Sequence, residues 1–522
     1  MPLSFFCIFD FIAYSLKKHT GMIKNLISLL LILNVISVNA QTFTDIKAGL
    51  TGVSESASNW IDYDEDGDLD ILVTGEFFNP SHGIKTKLYR NIRNDKFREV
   101  FTPIANVYRG NFDWADYNLD GIEDLFIIGE TANGKSIAYL YKGNRTTNFV
   151  RVSVNIPGVK DGSVDWGDFD GDGDQDLLIT GQENGNSVSK IYRNDRNNRF
   201  TELKAGLPGV AYGVGKWVDF DIDGDLDVIV SGTQTSGLVV TELFRNDDNR
   251  FVSMHLGFSD LRLSDIDWGD YDNDGDLDFA INGENQNGRF ETRLYANNLN
   301  ISFSPVFSDF VDVRSGSVDW GDMDHDGDLD LLLTGEYFNG AISKVYRNER
   351  NNEFKDIHAQ LIGLYMSDGH WGDYDNDGDL DIVISGMSND YKFISRVYRN
   401  DPIRTDTIKK KGNDIWNNTV VVPERPKPIY YYVYASCYCD LDKDGIKEYN
   451  AFISVIKRPK AQYEMERIFN SIIHRDYPNW EEFDQANIIQ TGFSTYQKAV
   501  NSRFIAIDEY KSKDFIVHDV KW

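Results

Sequence analysis

Cysteine is scarce: the 522 residues contain three, Cys7, Cys437 and Cys439. Only two of these lie beyond the first 40 residues, so a disulfide framework is excluded. Basic residues are outnumbered, 53 Lys and Arg against 83 Asp and Glu, for a formal net charge of −30. Nucleic-acid binding needs basic stripes that neutralise phosphates, so no nucleic acid is expected as a partner. No stretch after residue 40 approaches the run of about 20 apolar residues that a membrane-spanning helix requires. His-Glu-x-x-His, Gly-x-Ser-x-Gly and phosphate-loop patterns are missing, and the eight histidines are scattered. Common routes to catalysis therefore leave no signature. Apolar side chains are plentiful, 41% of the chain with 13% aromatic, enough for packed cores.

The N-terminus carries its own signal. A short basic start at Met22–Lys24 runs into the apolar stretch Leu26–Val38 and ends in Val38-Asn39-Ala40 before Gln41. This predicts a secretory signal peptide cleaved after Ala40, with Met22 a plausible true start and residues 1–40 leader. The expected location is secreted, extracellular or cell surface. The leader holds three Lys and one Asp, so the mature chain stands at −32.

A nine-residue pattern, Asp-x-Asp/Asn-x-Asp-Gly-x-x-Asp, starts at Asp62, Asp116, Asp168, Asp219, Asp270, Asp322 and Asp373. The spacings are 54, 52, 51, 51, 52 and 51 residues, a period that means one supersecondary unit repeated. Two positions before each start sits a tryptophan, from Trp60 to Trp371. After each acidic loop comes a β-type run such as Leu331-Leu332-Leu333-Thr334, a polar hairpin, a Tyr-Arg-Asn strand end such as Tyr346-Arg347-Asn348, and a short strand beginning near Phe354. Four short strands per repeat predict propeller blades. Nothing resembling the fourth strand follows Tyr398-Arg399-Asn400, whereas Phe43–Ile46 precedes the first repeat without a partner. Pairing the two closes a ring and hides both edges.

These repeats resemble the integrin-α type of propeller built from FG-GAP or VCBS units. The resemblance covers about 360 residues and implies a calcium-stabilised recognition scaffold. The expected fold is mainly β: a seven-bladed β-propeller of four-stranded blades over residues 41–401, closed by the N-terminal strand. A linker over 402–428 and a small α+β domain over 429–522 follow.

Calcium takes six to eight hard oxygens in flexible geometry, and alternating carboxylates around a sharp glycine turn let a short loop wrap one ion. The candidate ligands are Asp62, Asp64, Asp66, Asp68 and Asp70 in the first loop, then Asp116, Asn118, Asp120, Ile122 and Asp124. They continue with Asp168, Asp170, Asp172, Asp174 and Asp176, then Asp219, Asp221, Asp223, Asp225 and Asp227. The fifth loop offers Asp270, Asp272, Asp274, Asp276 and Asp278, the sixth Asp322, Asp324, Asp326, Asp328 and Asp330, and the seventh Asp373, Asp375, Asp377, Asp379 and Asp381. By the resemblance, position seven contributes its backbone carbonyl. An EF-hand is excluded, because a β-rich run and not a helix follows position nine. The plainer alternative is an Asp/Gly turn whose side chains cap their own backbone. Asn118 and Ile122 make the second loop the weakest, a looser site. Up to seven Ca²⁺ ions are expected, bringing −32 to about −18.

The hairpins on the opposite face differ between repeats, for instance Phe77-Phe78-Asn79-Pro80, Thr131-Ala132-Asn133-Gly134 and Tyr337-Phe338-Asn339-Gly340. Variable tips on a repeated frame suit recognition. The chain is therefore expected to be a recognition or adhesion module for an extracellular protein or glycan. The alternative is a polysaccharide-active lyase or hydrolase on the same scaffold. In the C-terminal region, Asp440–Glu448 imitates a calcium loop, Met465–Ile473 has helical spacing, and Cys437 and Cys439 point to one side of a strand.

Overall fold

The computed structural model describes residues 41–78, 82–298 and 301–402, together with the backbone of four strands between 430 and 520. The leader, the linker beyond Pro402, the Asp440–Glu448 loop except its last residue and the expected helix at 465–473 lie outside the described residues. Among the described residues no helix is long and apolar enough to cross a membrane.

The repeats fold into a β-propeller. Five separate antiparallel sheets have four strands each, in chain order: one runs from Ser54–Ile61 to Phe97–Val100, the next from Phe112–Ala115 to Val150–Val152. The third begins at Val164–Gly167, the fourth at Ala211–Val218 and the fifth at Leu261–Gly269. The sixth sheet has eight strands, in two groups. One group is Val318–Gly321, Asp330–Tyr337, Gly340–Asn348 and Phe354–Asp356; the other is Leu364–Gly372, Asp381–Ser388, Phe393–Pro402 and the N-terminal strand Gln41–Asp45. The groups meet at the pair Ile342 and Leu364. The N-terminal strand pairs antiparallel with Phe393–Pro402, Phe43 opposite Asn400 and Asp45 opposite Tyr398. Both sheet edges are thereby covered, as the missing fourth strand of the last repeat demanded.

The second strand of each blade is apolar because both its faces are covered. Leu331, Leu332 and Leu333 are wholly buried, and every residue of Asp124–Glu130 is buried. Continuous apolar runs of this length, bounded by turns, belong to such doubly buried strands. The tryptophans join neighbours. Trp166 stacks on Tyr117 of the preceding loop, with centroids 6.2 Å apart, and Trp217 stacks on Phe169 at 5.7 Å. Trp320 does the same on Tyr271, and Trp60 of the first repeat stacks on Tyr374 of the last, at 5.9 Å and 7°. The residue before the tryptophan adds a polar tie. Asp113, Asp165, Asp267 and Asp319 each accept a hydrogen bond from the next blade's tryptophan N–H, at 2.7–3.0 Å.

The C-terminal unit, Ile408–Trp522, contains a four-stranded sheet. Its order is Ile488–Phe493, Tyr430–Cys439, Glu448–Ser454 and Ile516–Val520, the last pair parallel and the others antiparallel.

Candidate metal-binding loops and the opposite face

Each acidic loop joins the first and second strands of its blade, so all seven lie on one face. Position six is glycine because the backbone there turns through φ between +80° and +100°, which side chains disfavour. The position-one carboxylate then collects N–H groups of the loop: Asp62 accepts from Asp66 and Gly67 at 3.0 and 2.9 Å, and Asp168 from Asp172 and Gly173 at 3.1 and 2.9 Å. Position five caps position seven, as when Asp326 accepts from Asp328 N at 3.0 Å. The self-capping turn is real, yet it does not use all the oxygens.

Position nine is the deepest. Asp124, Asp176, Asp227, Asp278, Asp330 and Asp381 have no exposed surface. One oxygen of each accepts the backbone N–H at the end of its blade's third strand, from Asn91 on Asp70 to Asn400 on Asp381, at 2.7–2.8 Å. Burial first, then the neighbouring loop carboxylates, pushes Asp70, Asp176, Asp227, Asp278 and Asp330 up to about 8 and Asp381 up to about 9. Carboxyl oxygens of positions one, three and nine lie within 4.8 Å of one another in Asp168/Asp170/Asp176, Asp219/Asp221/Asp227, Asp270/Asp272/Asp278 and Asp322/Asp324/Asp330; Asp62, Asp64 and Asp66 cluster likewise. Several inward oxygens are buried without a hydrogen-bond partner: Asp64 Oδ1, Asp170 Oδ1, Asp221 Oδ1, Asp270 Oδ1, Asp324 Oδ1 and Asp373 Oδ1. A buried carboxylate oxygen left in this state is costly, and a cation satisfies it. The donor set, all oxygen, fits calcium and not zinc.

Position seven behaves differently. Asp68, Asp174 and Asp328 turn their carboxylates outward to Arg93, Arg196 and Arg350, at 2.5–2.6 Å.

A feature that the sequence reading passed over is the asparagine of Tyr-Arg-Asn. Its side-chain amide donates to its own loop and to the loop of the preceding blade. Asn348 Nδ2 reaches Leu329 O at 3.2 Å and Tyr271 O at 2.8 Å, and Asn91 closes the ring by reaching Tyr374 O at 2.8 Å. The repeat of that asparagine every 51 or 52 residues from Asn194 to Asn400 was the available signal.

A model of the FG-GAP-like repeat family matches residues 62–127, 116–179, 168–230 and 322–384. The chain is an FG-GAP repeat β-propeller protein. No curated protein matches its sequence. Similar solved structures include AofleA from Arthrobotrys oligospora, at 11% identity and a TM-score of 0.35 over 57% of this chain and 87% of that one. A triple-arginine mutant of AofleA gives 12% and 0.37 over 57% and 88%. A mutant of Aleuria aurantia lectin in complex with α-methyl-L-fucoside gives 9% and 0.36, over 59% of this chain and 96% of the lectin. These values are too low to transfer a ligand to the FG-GAP propeller.

On its other face the hairpin aromatics divide. Phe77 packs on the core with Lys85 Nζ 5.3 Å from its ring centroid, and Tyr337 also packs inward. Phe338 is 92% exposed, and so, at 78%, is Tyr391 on the next hairpin, which sequence reading missed. Asn389 couples the two tips, accepting from Ala341 N at 2.8 Å. The side chain of Phe78, and Asn79 and Pro80, lie outside the described residues.

A second group of charges belongs to the first strands. Burial opposes the charge on His370, but the carboxylates of Asp368 and Asp319, each 3.1 Å away, outweigh it and hold the imidazole protonated well above its usual range. Burial and the adjacent Asp165 push Asp113 up to about 7. Sequence alone offered no reason to connect Asp319 with His370, or Asp113 with Asp165, because the partners lie on different sheet units about 51 residues apart.

Proposed function

We propose that this FG-GAP protein is an exported or cell-surface recognition module: a seven-bladed propeller whose loop face is held by calcium and whose hairpin face binds a protein or glycan. The seven-blade reading counts the eight-stranded sheet as two blades. Three facts support it: the two groups meet through one residue pair, each group has its own Trp and acidic loop, and Trp60 stacks on Tyr374. The observation that carries the calcium reading is the set of buried, unpartnered carboxylate oxygens aimed into the loops. Export is supported by the Met22–Ala40 segment and by calcium chemistry, since loop sites of this kind fill at the roughly millimolar calcium found outside cells.

The ligand face is the hairpin side, where exposed Phe338 and Tyr391 stand on coupled tips. Exposed aromatics of this kind serve as anchors for apolar sugar faces and for protein partners. The test is a glycan and protein binding panel with the full chain and with the double variant Phe338→Ser, Tyr391→Ser. The expected result is a ligand that the double variant loses while its calcium-dependent melting is unchanged. Undiminished binding by that variant moves the site off these tips, and no retained ligand in either panel contradicts the recognition role.

A further inference from the structure

The second loop does not fit the ion that its six counterparts fit, and the reason is written in three of its residues. Asn118 replaces the aspartate of position three, and its amide nitrogen donates directly to Asp124 Oδ2. That contact bridges positions three and nine across the space an ion would take. The other Asp124 oxygen accepts from Gly143 N at 2.7 Å. Lys142 then supplies the positive charge: its Nζ lies 2.6 Å from Asp120 Oδ2 and 3.3 Å from Asn118 Oδ1. Among the described residues, no oxygen of this loop is buried without a partner, whereas each of the other six loops retains at least one.

The neighbouring blades show that a cation at this strand position does not suffice by itself. Arg90 reaches Asp64 and Asp66 at 3.0 and 2.8 Å, yet Asp64 Oδ1 and Asp70 Oδ2 remain without partners. Arg193, Arg245 and Arg347 turn to Asp195, Asp247 and Glu349 beyond the loop. Lys142 meets positions three and five much as Arg90 does, so what sets the second loop apart is the Asn118 amide, which takes up Asp124 Oδ2 where the first loop leaves Asp70 Oδ2 unpartnered. Gly143 completes the change. It stands where six blades have asparagine, and a Cβ there would meet Glu123 O at 2.2 Å, so the loop is drawn against the strand end.

Resting on the calcium reading, we infer that Asp116–Asp124 is closed by the Asn118 amide, with the Lys142 ammonium beside it, in place of a metal ion, so that the propeller binds six calcium ions, not seven. The closed loop explains why Asn118 and Ile122 are tolerated: no ion needs their oxygens. The test is a count of bound calcium on the full chain by equilibrium dialysis and native mass spectrometry at saturating calcium. Six ions per chain is the expected result for the natural sequence. The double variant Asn118→Asp, Lys142→Arg, which restores at both positions the residues of five of the other six repeats, is expected to bind seven. Seven ions on the natural chain overturns the inference while leaving the calcium reading intact, and none overturns the calcium reading itself. A folded double variant that binds no more than the natural chain also overturns the role given to Asn118 and Lys142, and the count on the natural chain decides the matter should that variant not fold.

Discussion

The two faces of the propeller are built from the same strands but repeat different things. On the loop face the side chains recur: a carboxylate at position nine on a strand-end N–H in all seven repeats, and an asparagine amide clasping the previous loop in six. On the hairpin face only the backbone recurs, and the tips vary from Thr131–Gly134 to Phe338 and Tyr391. Repetition of side chains marks what holds the ring, and variation marks what is free to meet a ligand. The difference predicts that substitutions on one face cost stability and on the other cost binding.

The largest effect of a single change is expected in the sixth loop. Asp330→Ala removes a ligand and leaves the N–H groups of Asn348 and Met323 without their acceptor. One calcium site at roughly 2 mM calcium and a dissociation constant of about 0.1 mM contributes about 1.8 kcal/mol. Each unsatisfied buried N–H costs about 1–3 kcal/mol. At about 0.76 kcal/mol/K for a propeller of about 360 residues, a loss of about 4–8 kcal/mol lowers Tm by about 5–10 °C in calorimetry. A drop under about 2 °C would show that the loop is a surface ornament.

A pH series sharpens the same point. Burial holds the position-nine carboxyls near 8 in the ion-free fold, above their unfolded range near 4. The folded state then binds protons more tightly than the unfolded chain, so this contribution is full below about pH 4 and lost as pH rises through 8. Chelated protein should therefore melt progressively lower from pH 5 to 8. Calcium neutralises the same carboxylates, so the gap between calcium-loaded and chelated melting curves should widen over that range; a constant gap would contradict the buried cluster.

Asn348→Ala should cost less, about 2 kcal/mol or about 3 °C, because it frees the carbonyls of Tyr271 and Leu329 while sparing the carboxylates. Phe338→Ser, on the opposite face, should move Tm by less than about 1 °C, as exposed surface changes usually do.

Much of this was legible beforehand because the period exposes it. The acidic loops, the tryptophans and the missing last strand recur at fixed spacing, so fold and candidate ligands could be read off together, and the N-terminal strand pairs with the strand that lacked a partner, although it runs Gln41–Asp45 and not Phe43–Ile46. What was hidden acts between repeats. The asparagine clasp, the Asp-to-Trp tie and the Asp319–His370 pair each join residues about 50 or more positions apart, or across the ring, and no local pattern states which atoms meet. The second loop was hidden for a related reason. Asn118 can offer an oxygen to an ion, and only the approach of Lys142 from another strand shows that its amide faces Asp124 instead.

The most direct test of the account is thermal unfolding of the full chain in about 2 mM calcium and in excess chelator, with elemental analysis of the same preparation. Six sites of about 1.8 kcal/mol each predict a fall in Tm of about 15 °C on chelation, restored by calcium and poorly by magnesium, which demands a tighter octahedral shell. Superimposable melting curves, with no calcium in the protein, would contradict it.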